Sequence, residues 1–387
     1  MRARRALSIF VGKSLPDDMH LKRRKTLARL VEAATNARAV TVTALGRSMS
    51  QVLHNTSPKH AIKIADRFLS NPLIHGEVES IYGKLAHRLL HGVVQPVILV
   101  DWTPIDRVYA LVASVPVDGR AQIVCSVVVD QAQLGSPQVE RHFLQLLSRI
   151  VPTQCKPVVV TDAGFKTPWC NAVKSLGWHY VTRVRGATLF QASDQPWQRV
   201  STLHRRASRL LDLGWVALTQ HRQAPVRLVV CKRPRRFRHS LRLDRSPRRA
   251  GHDHKQRRSH KEPWVLATSL PLTTAEKIIH IYASRMRIEE TFRDAKTTRF
   301  GLGLEQARSR AGRMAILLLI TALASFALIA LGSFAEKAKC HFAFQANTVK
   351  NARVLSLFRL GLEIWRHKAV LLFHDNPTLS LHGALIE

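Results

Sequence analysis

Pro96-Val97-Ile98-Leu99-Val100-Asp101-Trp102 is the stretch on which the fold turns. Four apolar residues, three of them β-branched, run without a break and then meet an acid, the pattern of a buried strand that delivers a carboxylate. Two more β-rich runs follow at turn-sized gaps, residues 109–117 and 122–129, with Asp118-Gly119 between them as a hairpin signal. Downstream, residues 137–150 have the spacing of an amphipathic helix and 157–161 read as a second buried strand. Residues 167–176 read as a helix and 178–184 as another strand.

Three meandering strands followed by alternating helix and strand are the order of a ribonuclease-H-like α/β core. Upstream, residues 21–90 carry short helical patterns. Leu27, Leu30, Val31 and Ala34 recur at three and four spacing, as do Ala61, Ile64, Ala65 and Phe68. Thr43 is expected to cap a short helix through Arg47, and Ser57-Pro58 to start the next. Lys59, His60, Lys63 and Arg67 decorate that second helix, as a helix-turn-helix-like DNA reader would require. Between residues 186 and 263 the pattern breaks into short strand-like pieces and a basic tract, with 13 Lys or Arg in the 30 residues from Lys232 to Lys261. That density cannot pack as a core and reads as an arm that orders on phosphate. His252, His254 and His260 lie in it, without a cysteine or suitably spaced further histidine to complete a metal site. A long helical pattern returns over residues 275–296, and helices are expected in most of the remainder.

The chain of 387 residues, 46% of them apolar, can fill two or three cores. Lys and Arg number 60 against 26 Asp and Glu, a formal net charge of +34. A merely solvated basic face predicts rough balance, so this excess points to a polyanion, nucleic acid before a ribosomal role or an anionic membrane. Five widely spaced cysteines without a Cys-x-x-Cys pair argue for a reducing, cytoplasmic setting and against a zinc module. The short apolar run at residues 6–12 lacks a cleavage site, and no signal peptide is expected. Residues 314–334 contain no charge and meet the length of a membrane helix. They are Ala-rich, include Thr321, Ser325 and Ser333, and form the only such run, so a buried central helix is expected and no membrane partner.

Asp101 and Asp162 each follow an apolar strand run, and Ala163-Gly164 then takes the chain away from the sheet. Carboxylates at the ends of neighbouring buried strands are costly unless a cation neutralises them. Divalent Mg²⁺ suits such hard oxygen donors, with Mn²⁺ as an alternative. On one continuous helix, Tyr282, Arg285, Glu289 and Lys296 would share a narrow face, at about 100° of rotation per residue, with Glu290 turned away. Glu289 is then the third metal ligand, Arg285 and Lys296 bind phosphate oxygens, and Tyr282 meets the DNA backbone. Helical ion pairs such as Arg285 with Glu289 are the alternative reading of that face.

Tyrosine, two residues, arginine, three residues, glutamate, six residues, lysine is the pattern from Tyr282 to Lys296. It resembles the signature of the insertion-sequence-four family of bacterial DDE transposases. The runs VILVDW, DAGFKTPW, SLGW, RVRG, KEPWVLAT, RIEETFRDAK, GLGL and FQANTVKN are similar to its cut-and-paste members, over roughly residues 20 to 367. The resemblance implies a helical DNA-end-binding domain at 1–92, a ribonuclease-H-like catalytic core at 93–186 and 264–312, a β-rich insertion with the basic arm at 187–263, and a helical C-terminal region at 313–387. It also implies nicking, hairpin formation and joining of 3′ ends to target DNA at one metal site, by a homodimer assembled on two transposon ends in the bacterial nucleoid. Trp264 and Met286 stand where family members stack or insert side chains at the transposon end.

Overall fold

The structure, a computed structural model, describes residues 10–53, 56–193, 195–206, 210–221, 224–232, 262–346, 348–349 and 351–367. Helices α1 (Leu21–Asn36), α2 (Val42–Ser50), α3 (Pro58–Leu69) and α4 (Pro72–Leu90) precede strands β1 (Val97–Ile105), β2 (Val108–Val117) and β3 (Arg120–Asp130). Helix α5 (Pro137–Ile150), strand β4 (Val158–Thr161), helix α6 (Thr167–Ser175) and strand β5 (His179–Val184) follow. The next strands are β6 (Leu189–Gln191), β7 (Gln198–Arg199), β8 (Leu211–Leu218), β9 (Ala224–Cys231) and β10 (Trp264–Thr268). Helices α7 (Ala275–Ala283), α8 (Met286–Lys296), α9 (Ala311–Lys337) and α10 (Leu357–Arg366) come last. The basic tract, with Arg233, Arg235, Arg236, Arg238, His252, His254 and His260, lies outside the described residues apart from Lys232.

The chain divides into two compact units, Met1–Val159 with Ser284–Glu387, and Val160–Ala283. In the first, β3-β2-β1 form the expected antiparallel meander, with Asp101 opposite Val112 and a register shift at Ala113/Ser114. The turn between β2 and β3 is Asp118-Gly119, where Gly119 takes φ +70, a backbone region that glycine enters without strain. The chain entering β4 runs beside β1, since Lys156 N donates to Val94 O at 2.7 Å and Val158 N to Pro96 O at 2.9 Å. Strand β1 continues four residues beyond Asp101, so the acid stands within the strand and not at its end as the apolar run suggests.

Helix α9 is the centre of this unit. Its sequence is Ala- and Leu-rich, which favours helix, and it is apolar on every side, which demands burial on every side. It packs against α10, β3, α1 and α4, and 94% of its most apolar stretch is buried inside the protein. Gln122 on β3 donates to the Ala322 carbonyl at 2.9 Å, tying sheet to helix. Helices α9 and α10 cross at a glycine pair: a Cβ on Gly332 would lie 1.9 Å from Leu357 O, and one on Gly361 the same distance from Leu328 O.

The N-terminal helices belong to the same unit. Thr41, two residues before the expected Thr43, caps α2 by accepting from Ala44 N at 3.2 Å. Ser57 caps α3 as the Ser-Pro pair predicts, accepting from His60 N at 3.3 Å. The two helices touch where Gly46 meets Ile62, with room for no side chain on the glycine. Lys59, Lys63 and Arg67 lie at four-residue intervals on α3, all exposed.

The second unit is a sheet in the order β5-β10-β9-β8-β6-β7, with β10 antiparallel to both β5 and β9. The strand-like pieces expected between residues 186 and 263 are β6 to β9.

The crossing of α9 and α10 gives a stability test. Gly361→Ala is expected to cost about 3 kcal/mol, the upper end for overpacking. Gly83→Ala in α4, where a Cβ meets nothing within 4 Å, should gain up to about 1 kcal/mol from helix propensity. Urea midpoints check both, and equal midpoints for the two variants would refute the packing account.

Candidate active site

The four buried residues Val97 to Val100 carry β1 into the core, and Asp101 follows them with its side chain 16% exposed. One carboxylate oxygen, Oδ1, accepts from the backbone N–H of Trp102 at 2.9 Å. The other, Oδ2, accepts from Arg285 Nη1 at 2.9 Å. The second terminal nitrogen of the same guanidinium, Nη2, donates to Glu289 Oε1. Two acids far apart in sequence are therefore bridged by one cation.

Helix α8 brings Glu289 there, and three contacts fix its register on the sheet. The Thr291 hydroxyl accepts from Ala121 N at 2.8 Å and lies 2.8 Å from Ala121 O, gripping both backbone groups of one β3 residue. Arg120 Nε donates to the Asp294 carboxylate, which is only 6% exposed. Burial raises the Asp294 carboxyl above the usual range, and the Arg120 charge opposes that rise. At the C-terminal end, Lys296 Nζ donates to Thr103 Oγ1 at 2.9 Å and to Pro104 O at 3.3 Å, on the same strand as Asp101. Burial lowers the Lys296 ammonium, while Glu305 and Asp101 pull it back up. The Gly301-Leu302-Gly303-Leu304 loop then closes on the helix: Leu302 N donates to Asp294 O at 2.9 Å, and a Cβ on Gly301 would fall 1.5 Å from that oxygen.

The single helix expected from residue 275 to 296 is broken. α7 ends at Ala283 and α8 starts at Met286, with turns at Ser284 and Arg285. Tyr282 therefore stands on α7 and not on the helix that carries Glu289 and Lys296. Tyr282 belongs to the second unit, is 4% exposed, and packs edge to face on Trp264 with ring centroids 4.8 Å apart. Met286 is half-buried at the start of α8. Glu290 is engaged elsewhere, with Arg293 and, at 3.9 Å, with Arg120.

Asp162 lies in the second unit just beyond β4. Its Oδ1 accepts from Gly164 N at 2.7 Å, and a Cβ on Gly164 would crowd the same oxygen at 2.9 Å, so the glycine leaves the carboxylate room to fold back. Thr161 Oγ1 donates to Thr182 Oγ1 at 3.0 Å, and Thr182 Oγ1 to Asp162 O at 3.0 Å, fixing the backbone on β5. Sequence reasoning missed Thr291, Asp294, Arg120 and Thr103. A polar residue on the apolar face of α8 was the available sign for Thr291 and Asp294.

As to a metal, Asp101 and Glu289 offer hard carboxylate oxygens that already converge on one cation, a donor set that fits Mg²⁺ in kind. Among the described residues no group of three or more His, Cys, Asp or Glu could hold a metal ion.

Residues 93–326 match the model of the transposase DDE domain family, more than half of the chain, and the chain belongs to that family. It is thus a DNA transposase enzyme, and its mixed α/β architecture is compatible with a ribonuclease-H-like DDE domain. No curated protein sequence matches the chain.

Glu140 on α5 sits beside the side chain of Trp102, the residue after Asp101, and burial pushes its carboxyl up to about 7 from an ordinary 4.5, with Trp102 opposing. The folded protein holds that proton more tightly than the unfolded chain. The stabilisation is full below pH 4.5 and is lost as pH rises through about 7. Glu140→Gln, which cannot ionise, should therefore gain about 1–2 kcal/mol on wild type between acid and alkaline pH, a value discounted for partial solvent contact. Urea unfolding at both ends of that window measures it, and a pH-independent difference would contradict the assignment.

Proposed function

We propose that this transposase is a cut-and-paste enzyme of the insertion-sequence-four family, similar to the transposase of transposon ten, with Asp101, Asp162 and Glu289 as its catalytic and metal-binding acids. The observation that carries the reading is the bridge from Asp101 through Arg285 to Glu289, which puts two of the three proposed acids around one cation. The match of residues 93–326, which include all three acids, supports it.

Asp101, Asp162 and Glu289 would hold Mg²⁺, or Mn²⁺ in its place. When bound, the metal would polarise the scissile phosphodiester and sharpen the attacking hydroxyl, first of water and then of a DNA 3′ end. The protein's own groups do the positioning. Arg285 and Lys296 are cations on one helix face along β1, placed to receive phosphate oxygens. Lys296 is already partly dried by burial, so less hydration remains to be stripped when it meets an anion. Lys59, Lys63 and Arg67 on α3 are proposed to bind the transposon end, and the basic tract around Arg233 to add sequence-independent affinity. Two chains would pair two ends as a homodimer. The steps would be nicking, hairpin formation, reopening and joining, all at one site.

Glu289→Gln keeps shape and removes charge. It should leave DNA-end binding intact and reduce nicking, hairpin formation and joining together by at least about a hundredfold. Glu290→Gln, which loses only ion pairs with Arg293 and Arg120, should stay within about tenfold of wild type. Gel analysis of labelled end-containing DNA with Mg²⁺ reads this, and nicking by Glu289→Gln beside a dead but folded Glu290→Gln would reverse the assignment.

Trp264 is proposed to stack on a base unpaired during hairpin formation, braced from behind by Tyr282, with Met286 assisting. Trp264→Ala is expected to nick normally and form little hairpin. Nicking and hairpin falling in parallel on the same gels would reject a base-handling role.

A further inference from the structure

Arg285 places two different nitrogens on two different carboxylates, Nη1 on Asp101 Oδ2 at 2.9 Å and Nη2 on Glu289 Oε1. One planar guanidinium thus does for this pair of acids what a divalent cation would do: it cancels their mutual repulsion by standing between them. The Arg285 and Asp101 side chains are 14% and 16% exposed, so their attraction is less screened than that of a surface pair. Any metal ion that takes these oxygens must displace a charge already there.

The position of Arg285 permits that exchange. It stands at the helical break between α7 and α8, as the residue that caps α8, not inside a helix. Helix α8 does not depend on it for its seat, because Thr291 on Ala121, Asp294 on Arg120 and Lys296 on Thr103 hold the helix to the sheet independently. The guanidinium can therefore leave while Glu289 stays. A phosphate oxygen pair is the natural acceptor, since it matches the same fork geometry and carries the same sign of charge as the carboxylates.

We propose that Arg285 is a resident counter-ion of the Asp101–Glu289 pair, handed over to a DNA phosphate when substrate arrives, so that metal affinity is coupled to DNA binding. This rests on the reading of Asp101 and Glu289 as metal ligands. Before DNA binds, the guanidinium competes with the metal. After it binds, the competitor is held by phosphate and the two carboxylates are released to the metal. The coupling is reciprocal, so metal must also tighten DNA binding.

The test is Mn²⁺ binding to the full chain, followed by electron paramagnetic resonance of free Mn²⁺, with no DNA and with saturating random-sequence duplex. Asp101→Asn and Glu289→Gln must each weaken Mn²⁺ binding in the presence of duplex. If both bind as wild type does, the metal-ligand reading itself is wrong. Where they do weaken it, Arg285→Gln decides the proposal: without DNA it should bind Mn²⁺ about tenfold more tightly than wild type. Duplex should then tighten Mn²⁺ binding by wild type but not by Arg285→Gln. Arg285→Lys, which keeps the charge but cannot span both carboxylates, should fall between them and serves if the glutamine variant does not fold. Arg285 variants with wild-type Mn²⁺ affinity in the absence of DNA, or a wild-type affinity unmoved by duplex, would overturn the exchange.

Discussion

Like charges brought close inside a folded chain must be paid for, and in this protein the payment is a guanidinium. Asp101 arrives on a buried strand and Glu289 on a helix packed over that strand, and Arg285 between them cancels the mutual repulsion of the two carboxylates. The seat of α8 is fixed by other contacts, Thr291 on Ala121, Lys296 on Thr103 and a second charge pair, Arg120 with Asp294. Both pairs put an arginine between a helix acid and the sheet. They differ in burial: Asp294 is enclosed and its carboxyl is pushed up, whereas Glu289 is 45% exposed. One helix thus carries a buried ion pair and a more exposed one.

Close backbone approach is the second organising device. Gly332 and Gly361 let α10 lie against the carbonyls of α9, Gly46 lets α2 lie against α3, and Gly301 lets the chain after α8 fold onto the last turn of that helix. The same loop reaches the N-terminal helices through Val40 N and Leu302 O, at 2.9 Å. The Gly-Leu-Gly-Leu run, which reads as a family motif, is in this structure the clamp that keeps the end of α8 in place. Its contribution to the acid site is indirect, through the angle at which Lys296 reaches Thr103 and Pro104.

Membership of the transposase DDE domain family, the excess of Lys and Arg, and the paired acids describe one chemistry from three directions. The charge suits the DNA substrate that the family implies; on the proposed reading the cations along β1 and α8 would orient a phosphate and the acids would hold the metal that activates it. Helix α9, long and apolar enough to suit a membrane, is instead the interior against which these elements are built.

The amino-acid sequence by itself determined the local events. Runs such as VILVD and VVVTD specify buried strands followed at once by an acid, because β-branched residues favour extended backbone, though β1 continues past its acid. Asp118-Gly119 specifies the hairpin, Ser57-Pro58 the start of α3, and residues 137–150 the helix α5 with both its ends. That Glu289 and not Glu290 meets Arg285 was also legible, because the two stand four residues apart, about one helical turn. Tertiary structure decided what depends on partners distant in the chain. The break at Ser284–Arg285, the burial of Tyr282 on Trp264, the grip of Thr291 on Ala121 and the use of Arg285 as a bridge all involve residues whose neighbours are set by packing. Helical periodicity carries no information about where a helix must bend to meet a sheet, and a charge in a sequence does not say which opposite charge the fold will bring to it.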